Sequence, residues 1–151
     1  PVCTHDGIHF VNDSKATNAE AAEKALRSFS SIYWIAGGEA KDGGISGITH
    51  ALSNVVRAYL IGASADDFAH DLGGSIPHRI SGTVEQALAD AIADASADPL
   101  PDATILLAPA AASFDQFRNF EARGDAFRAA ALNWAEETMP RDTTNGEAMN
   151  V

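Results

Sequence analysis

The 151-residue sequence holds one cysteine, Cys3, which excludes an internal disulfide and a cysteine-based zinc site and suits a reducing compartment. Basic residues are scarce: Lys and Arg total 10 against 21 Asp and Glu, for a formal net charge of -11. A surface that acidic repels phosphate backbones and anionic lipid, which argues against nucleic acid or a membrane surface as the main partner. No apolar run approaches the ~20 residues of a membrane span. The opening Pro1-Val2-Cys3-Thr4-His5-Asp6 is neither basic nor apolar, so it does not read as a signal peptide. With no initiator methionine, the sequence reads as a processed chain or a piece of a longer one. His5, His9, His50, His70 and His78 are scattered without ligand spacing, and no metal site is expected from them.

Several motifs are missing as well. Gly38 and Gly43 have the spacing of a phosphate-binding P-loop, but Gly44 stands where its lysine is required. No G-x-G-x-x-G follows the first strand, which argues against a dinucleotide site, and no nucleophile elbow is present.

What remains is an ordinary globular composition, 46% hydrophobic and 21% charged, in a chain long enough to bury roughly 70% of its unfolded surface. Short apolar runs at residues 8–11, 32–36, 58–61, 77–80 and 104–108 read as strands. Between them, 19–29, 46–53, 65–72 and 84–97 carry helical periodicity, with Thr83 and Gln86 as a capping box for the last. Residues 115–137 read as a helix interrupted at Gly124, with Phe114, Phe117, Phe120 and Phe127 facing the core. Alternating strands and helices predict a doubly wound α/β fold, a mostly parallel sheet of about six strands with helices on both faces. One domain is expected over 1–138, with a disordered tail over 139–151.

In such a sheet, ligands bind outside the carboxyl ends of the strands. That rule gathers four loops: Asn12 to Asn18, Gly37 to Gly44, Gly62 to Asp67, and Pro109 to Phe117. The chain has three lysines, and two of them, Lys15 and Lys41, fall in these loops. With the hydroxyls of Thr17 and Ser113 and nearby helix N-termini, they make a candidate site for a small anion. The competing readings are structural. Thr17 with Glu20 and Ser113 with Gln116 have capping-box spacing, Asp13 is placed to cap the first helix, and the lysines could be solvated loop residues.

The loops also carry a resemblance. Asp6 to Asn18, with its Asn12-Asp13-Ser14-Lys15-Ala16-Thr17-Asn18 string, is similar to the opening of the C-terminal domain of Mur ligases, in the branch that adds D-glutamate. Ile35 to Lys41 and Leu107 to Gly124 resemble the second and last loops of that domain, and the likeness runs from about residue 6 to 137. Ala111 stands where many members have cysteine.

The resemblance implies an ATP- and Mg²⁺-dependent enzyme of peptidoglycan precursor synthesis. It phosphorylates the carboxylate of UDP-N-acetylmuramoyl-L-alanine, and the amine of D-glutamate then attacks the acyl phosphate. It implies partner domains, N-terminal for the UDP-sugar and central for ATP and Mg²⁺, and hence a fragment that does not catalyse alone. Thr17, Lys41, Ser113 and Phe120 would hold D-glutamate, Lys15 would approach the transferring phosphate, and Asp13 would lie near the nucleotide. A cytoplasmic bacterial monomer is the implied setting. Two other classes stand beside this one. A receiver-like signalling domain needs an aspartate at the end of the third strand, where Ile61-Gly62-Ala63-Ser64 has none. A non-catalytic module binding a small anion or nucleotide is the other.

Overall fold

Every residue of Ile32-Tyr33-Trp34-Ile35-Ala36-Gly37 is buried, and this strand forms the middle of a six-stranded sheet. A computed structural model of the chain describes residues 2–40 and 44–138. The expected tail, 139–151, lies outside the described residues. In chain order the elements are β1 (Cys3–His5), β2 (Ile8–Asn12), α1 (Ala19–Ser28), β3 (Ile32–Gly37), a 3-10 turn (Ser46–Ala51) and β4 (Val55–Ile61). Then come α2 (Ala65–Leu72), β5 (His78–Gly82), α3 (Val84–Ala97), β6 (Thr104–Leu107) and α4 (Phe120–Thr138).

The strand order is β1-β2-β6-β3-β4-β5, parallel throughout except for the β1–β2 hairpin. Successive side chains of β3 feed two cores. Trp34 and Ala36 pack with Ala22 and Leu26 of α1 and Phe68 of α2. Tyr33 and Ile35 pack with Leu88 of α3 and Phe127 of α4 on the other face. That two-sided burial is why the central strands read as unbroken apolar runs. The Trp34 indole, taken into the core, donates to the Ala108 carbonyl at 2.8 Å. α3 carries the chain back across the sheet so that β6 inserts between β2 and β3. β2 is followed by a helix on one face and β6 by a helix on the other. The crevice at their carboxyl ends is therefore the topological switch point, the expected place for a ligand.

Four details differ from the sequence reading. β1 was not expected, because a half-exposed edge strand has no apolar pattern; the Asp6-Gly7 turn, at φ of 50° and 77°, is the signal that marks its hairpin. The helix expected at 46–53 is a 3-10 turn. α1 is capped by Asn18, whose side chain accepts from the Ala21 N–H at 2.9 Å, so neither Thr17 nor Asp13 performs that role. α4 starts at Phe120 rather than 115, with the Asn119 side chain accepting from the Ala122 N–H at 2.7 Å, and runs through Gly124 without a break. Because residues 114–119 are not helical, helical spacing misplaces the aromatics: Phe127 is buried, but Phe114 is 68% exposed and Phe120 38%.

Candidate functional site

The loops at the carboxyl ends of the strands are stitched together by backbone hydrogen bonds. The Asp13 N–H donates to Leu107, that of Ala110 to Ala16, and that of Gly37 to Pro109, all within 2.9 Å. Glu39 and Ala112 exchange N–H···O bonds of 2.8 and 2.9 Å. The approach is close enough to demand glycine: a Cβ on Gly38, at φ +142°, would lie 2.3 Å from the Ala112 carbonyl oxygen. Ala110 holds a left-handed φ of 58°, strain that the surrounding bonds over-determine.

The centre of this arrangement is a residue the sequence reading did not single out. Arg123 is 1% exposed. Its Nε donates to Ser14 Oγ at 2.9 Å, one terminal nitrogen to the Ser14 carbonyl at 2.8 Å, and the other to the Ala111 carbonyl at 2.9 Å. Ser14 Oγ in turn donates to the Phe120 carbonyl at 2.7 Å. One buried guanidinium thus ties α4 to the loops after β2 and β6, using the fixed fork that only arginine offers. Burial lowers its pKa to about 10, against a smaller upward pull from Asp115, so it stays charged at neutral pH. Its position beside the buried Gly124, four residues before Phe127 and eight before Ala131 on the inward face of α4, was the available signal.

Around that anchor sit the residues singled out from sequence. Ser113 is 2% exposed, and its Oγ is buried with no hydrogen-bond partner among the described residues. Its carbonyl, rather than its hydroxyl, takes the N–H groups of Gln116 and Phe117 at 3.1 and 2.8 Å, so the expected capping box is absent. A buried hydroxyl left unpaired costs about 1–3 kcal/mol, and its persistence calls for an explanation.

Thr17 is half-buried beside the Ala16–Ala110 bond, with its hydroxyl free of capping duty. Phe120 opens α4, with its ring partly exposed. Lys15 is exposed and shares a cavity of about 220 Å³ with Asn12, Ser14, Phe120, Glu121, Gly124 and Asp125. α4 comes near because Gly124 has no side chain; a Cβ there would lie 2.7 Å from Asn12 Nδ2. Asp13, half-buried, lines with Lys15 and Lys24 an open groove of about 570 Å³ along α1. Lys41 lies outside the described residues. The structure therefore draws the loops bearing Thr17, Ser113 and Phe120 into one bonded cluster, with Asp13 on its α1 side and Lys15 between α1 and α4. Among the described residues, no group of three or more His, Cys, Asp or Glu could hold a metal ion.

A family model described as "Mur ligase, glutamate ligase domain" matches residues 1–111. The chain is 55% identical over 127 residues to the UDP-N-acetylmuramoylalanine–D-glutamate ligase of Rhizobium meliloti, covering 84% of this chain and 27% of that protein. It is 57% identical over 121 residues to the ligase of that name from Nitrobacter hamburgensis, covering 80% and 26%. Against the Brucella abortus protein, also so named, it is 57% identical over 126 residues, covering 83% and 27%. The chain thus spans about a quarter of the length of the curated relatives it matches. A fold wound as a ligand crevice, a sequence more than half identical to ligases and a family model covering most of the chain agree: this chain belongs to the Mur ligase family and carries its glutamate ligase domain.

Proposed function

We propose that this domain is the acceptor-binding part of an ATP-dependent, amide-bond-forming ligase that adds D-glutamate to UDP-N-acetylmuramoyl-L-alanine. The observation that carries the reading is Ser113: a buried, unpartnered hydroxyl at the switch point, in a loop held there by Arg123 and the Gly38–Ala112 contact. A hydroxyl kept unpaired in the free domain is matched to a ligand oxygen it meets on binding.

In this reading Ser113 and Thr17 donate to the carboxylates of D-glutamate, and Lys41 supplies the opposite charge. Phe120, its ring half-exposed, covers the site. Lys15 stands toward the transferring phosphoryl group and offsets its negative charge where that charge develops. Asp13, on the groove beside α1, faces the nucleotide. The residues present fit a small anion rather than a nucleotide–metal pair, since there is no P-loop and no metal-ligating cluster among the described residues. In the same reading ATP with Mg²⁺, which activates the donor carboxylate by phosphorylation, is held mainly by the central domain, with Asp13 beside it. The relatives' names support D-glutamate and UDP-N-acetylmuramoyl-L-alanine as substrates. No described helix is long and apolar enough to cross a membrane. The receiver alternative is set aside, because β4 ends at Ile61 and is followed by Gly62 rather than aspartate.

The 151-residue chain alone binds the acceptor weakly and does not catalyse, because the partner groups that orient donor and ATP are not on it. Amide NMR titration with D-glutamate, and L-glutamate as control, tests this up to several times an expected Kd of about 1 mM. Shifts at Thr17, Lys41 and Ser113 with the D isomer only are expected. Equal responses to both isomers, or ATP-dependent phosphate release by the chain alone, would overturn the reading.

A further inference from the structure

The turn after β4, Gly62-Ala63-Ser64, carries none of the residues assigned above, yet both acceptor loops rest on it. A Cβ on Gly62, which has φ +70°, would lie 2.3 Å from Asp115 Oδ2 and 2.9 Å from Gly38 Cα. At this one atom the loop that leads to Lys41 and the loop that carries Ser113 come together. Ser64, 4% exposed, grips the first from both sides: its N–H donates to the Gly38 carbonyl at 2.9 Å, and its Oγ accepts from the Gly38 N–H at 3.1 Å. Asp115 grips the turn from the second loop, its Oδ2 accepting from the Ala63 N–H at 2.8 Å. The next residue, Gln116, adds a bond from Nε2 to the Gly82 carbonyl at 2.8 Å.

Two features distinguish this from ordinary loop packing. Ser64 occupies the N-cap position of α2, where serine normally bonds the helix's own N–H groups, yet no such side-chain bond is made. Its hydroxyl is diverted to Gly38. Asp115 is largely exposed, but its carboxylate is seated where the turn presents a free N–H at the positive end of α2.

We propose that the Gly62–Ser64 turn fixes the Gly38–Glu39 segment against the Ser113 loop, with Ser64 and Asp115 as positioning residues for acceptor binding. The inference rests on the reading of those loops as the D-glutamate site. Neither residue touches the acceptor. Each acts through a neighbour, Ser64 through Gly38 and the Glu39–Ala112 bridge next to Ser113, and Asp115 through the chain two residues after Ser113. An acceptor held through the buried Ser113 hydroxyl needs that loop in one place, and small misplacements are costly for such sites.

The test is steady-state kinetics on an intact ligase carrying this domain, with S64A, D115A, D115N and S113A compared. S64A and D115A are expected to raise KM for D-glutamate about 5- to 20-fold, leaving kcat and the KM values for ATP and the UDP-sugar within about twofold. D115N, which keeps a hydrogen-bond acceptor, should recover part of the loss. A uniform fall in kcat, or equal rises in all three KM values, would mark a general structural role and overturn the proposal. If S113A raises KM for D-glutamate while S64A and D115A do not, the anchor alone fails. If S113A also has no effect, the acceptor-site reading fails and the anchor with it. Should S64A not fold, the exposed Asp115 carries the comparison. In the 151-residue chain, D115N must then shift the Gly38 amide resonance across Gly62, and an unmoved Gly38 would overturn the coupling.

Discussion

Arg123 and Ser14 meet through two hydrogen bonds, Nε to Oγ at 2.9 Å and a terminal nitrogen to the carbonyl at 2.8 Å, across 109 residues of sequence. The pair joins the first turn of α4 to the loop that bears Lys15 and Thr17. A third donor reaches Ala111 on the Ser113 loop. Removing the guanidinium takes the donors from two buried carbonyls and from Ser14 Oγ, which keeps only its own bond to the Phe120 carbonyl. Arg123→Met is therefore expected to lower the stability of the chain by about 3 kcal/mol, and Ser14→Ala by about 1–2 kcal/mol. Urea denaturation measures both, and an R123M chain as stable as the parent would show that the fork is not what holds the loops. Arg123→Lys should recover little, because an ammonium cannot reproduce three bonds in one plane.

Two glycines with positive φ separate backbone strain from steric exclusion. Gly7, in the β1–β2 turn, has φ +77° and open space where a Cβ would stand, so Gly7→Ala should cost only the left-handed penalty, about 1–2 kcal/mol. Gly38→Ala adds a contact of 2.3 Å with the Ala112 carbonyl and crowds Arg123 at 3.0 Å. The Glu39–Ala112 bridge must then open, and a loss beyond about 3 kcal/mol is expected. Thermal melts of the two variants should differ clearly; similar values would mean that the loop yields to the methyl group.

Why the fold was readable and the anchor was not follows from where each signal lies. β3, β6 and β4 from Ala58 onward are buried on both faces, so their apolar runs survive in sequence as strands. α2 and α3 fall on the residues that periodicity assigned to them. The crevice came from the rule about strand ends, and Ser113 and Thr17 from chemistry plus resemblance. Arg123 was missed because charge normally argues for exposure, and its three partners are backbone and hydroxyl groups with no pattern of their own. The start of α4 was misplaced for a related reason. Asp115 and Gln116 look like a helical first turn but spend their side chains on Ala63 and Gly82, in other loops.

Alkaline pH should expose the second core. The Tyr59 phenol donates to Asp94 Oδ2 at 2.7 Å, while Arg57 approaches the same oxygen at 3.3 Å. Burial first, then that bond and the carboxylate's charge, raise the Tyr59 pKa well above its ordinary 10.0. Tyr33 is raised too, by burial and then by Asp98 and Asp94. A folded-state pKa above the unfolded value means the native chain keeps its protons longer. These groups leave stability undiminished below about pH 10 and lower it as pH rises further, where only the unfolded chain ionises. The sequence has just two tyrosines, so phenolate absorbance reports both. It is expected to appear together with loss of near-ultraviolet circular dichroism, in one transition. Phenolate forming near pH 10 with the native spectrum intact would contradict the burial argument.

Ser113 offers the sharpest separation of stability from function. Its hydroxyl is buried and unpaired, so in the free domain it is a cost with no compensating bond. Replacing it with alanine deletes the oxygen and keeps the backbone turn in which the Ser113 carbonyl accepts from Gln116 and Phe117. Ser113→Ala is therefore expected to stabilise the 151-residue chain by about 1 kcal/mol while weakening D-glutamate binding at least tenfold. Denaturant unfolding and the amide titration, run on one sample of each protein, measure the two effects side by side. A destabilised S113A chain would mean that the hydroxyl has a partner in solution, and the free bonding capacity assigned to it would be gone. A stabilised variant that binds D-glutamate as well as the parent would leave the orphan hydroxyl real but remove it from the acceptor site. Gain in one property with loss in the other is the outcome expected of a group held ready for a ligand, because the same missing bond produces both.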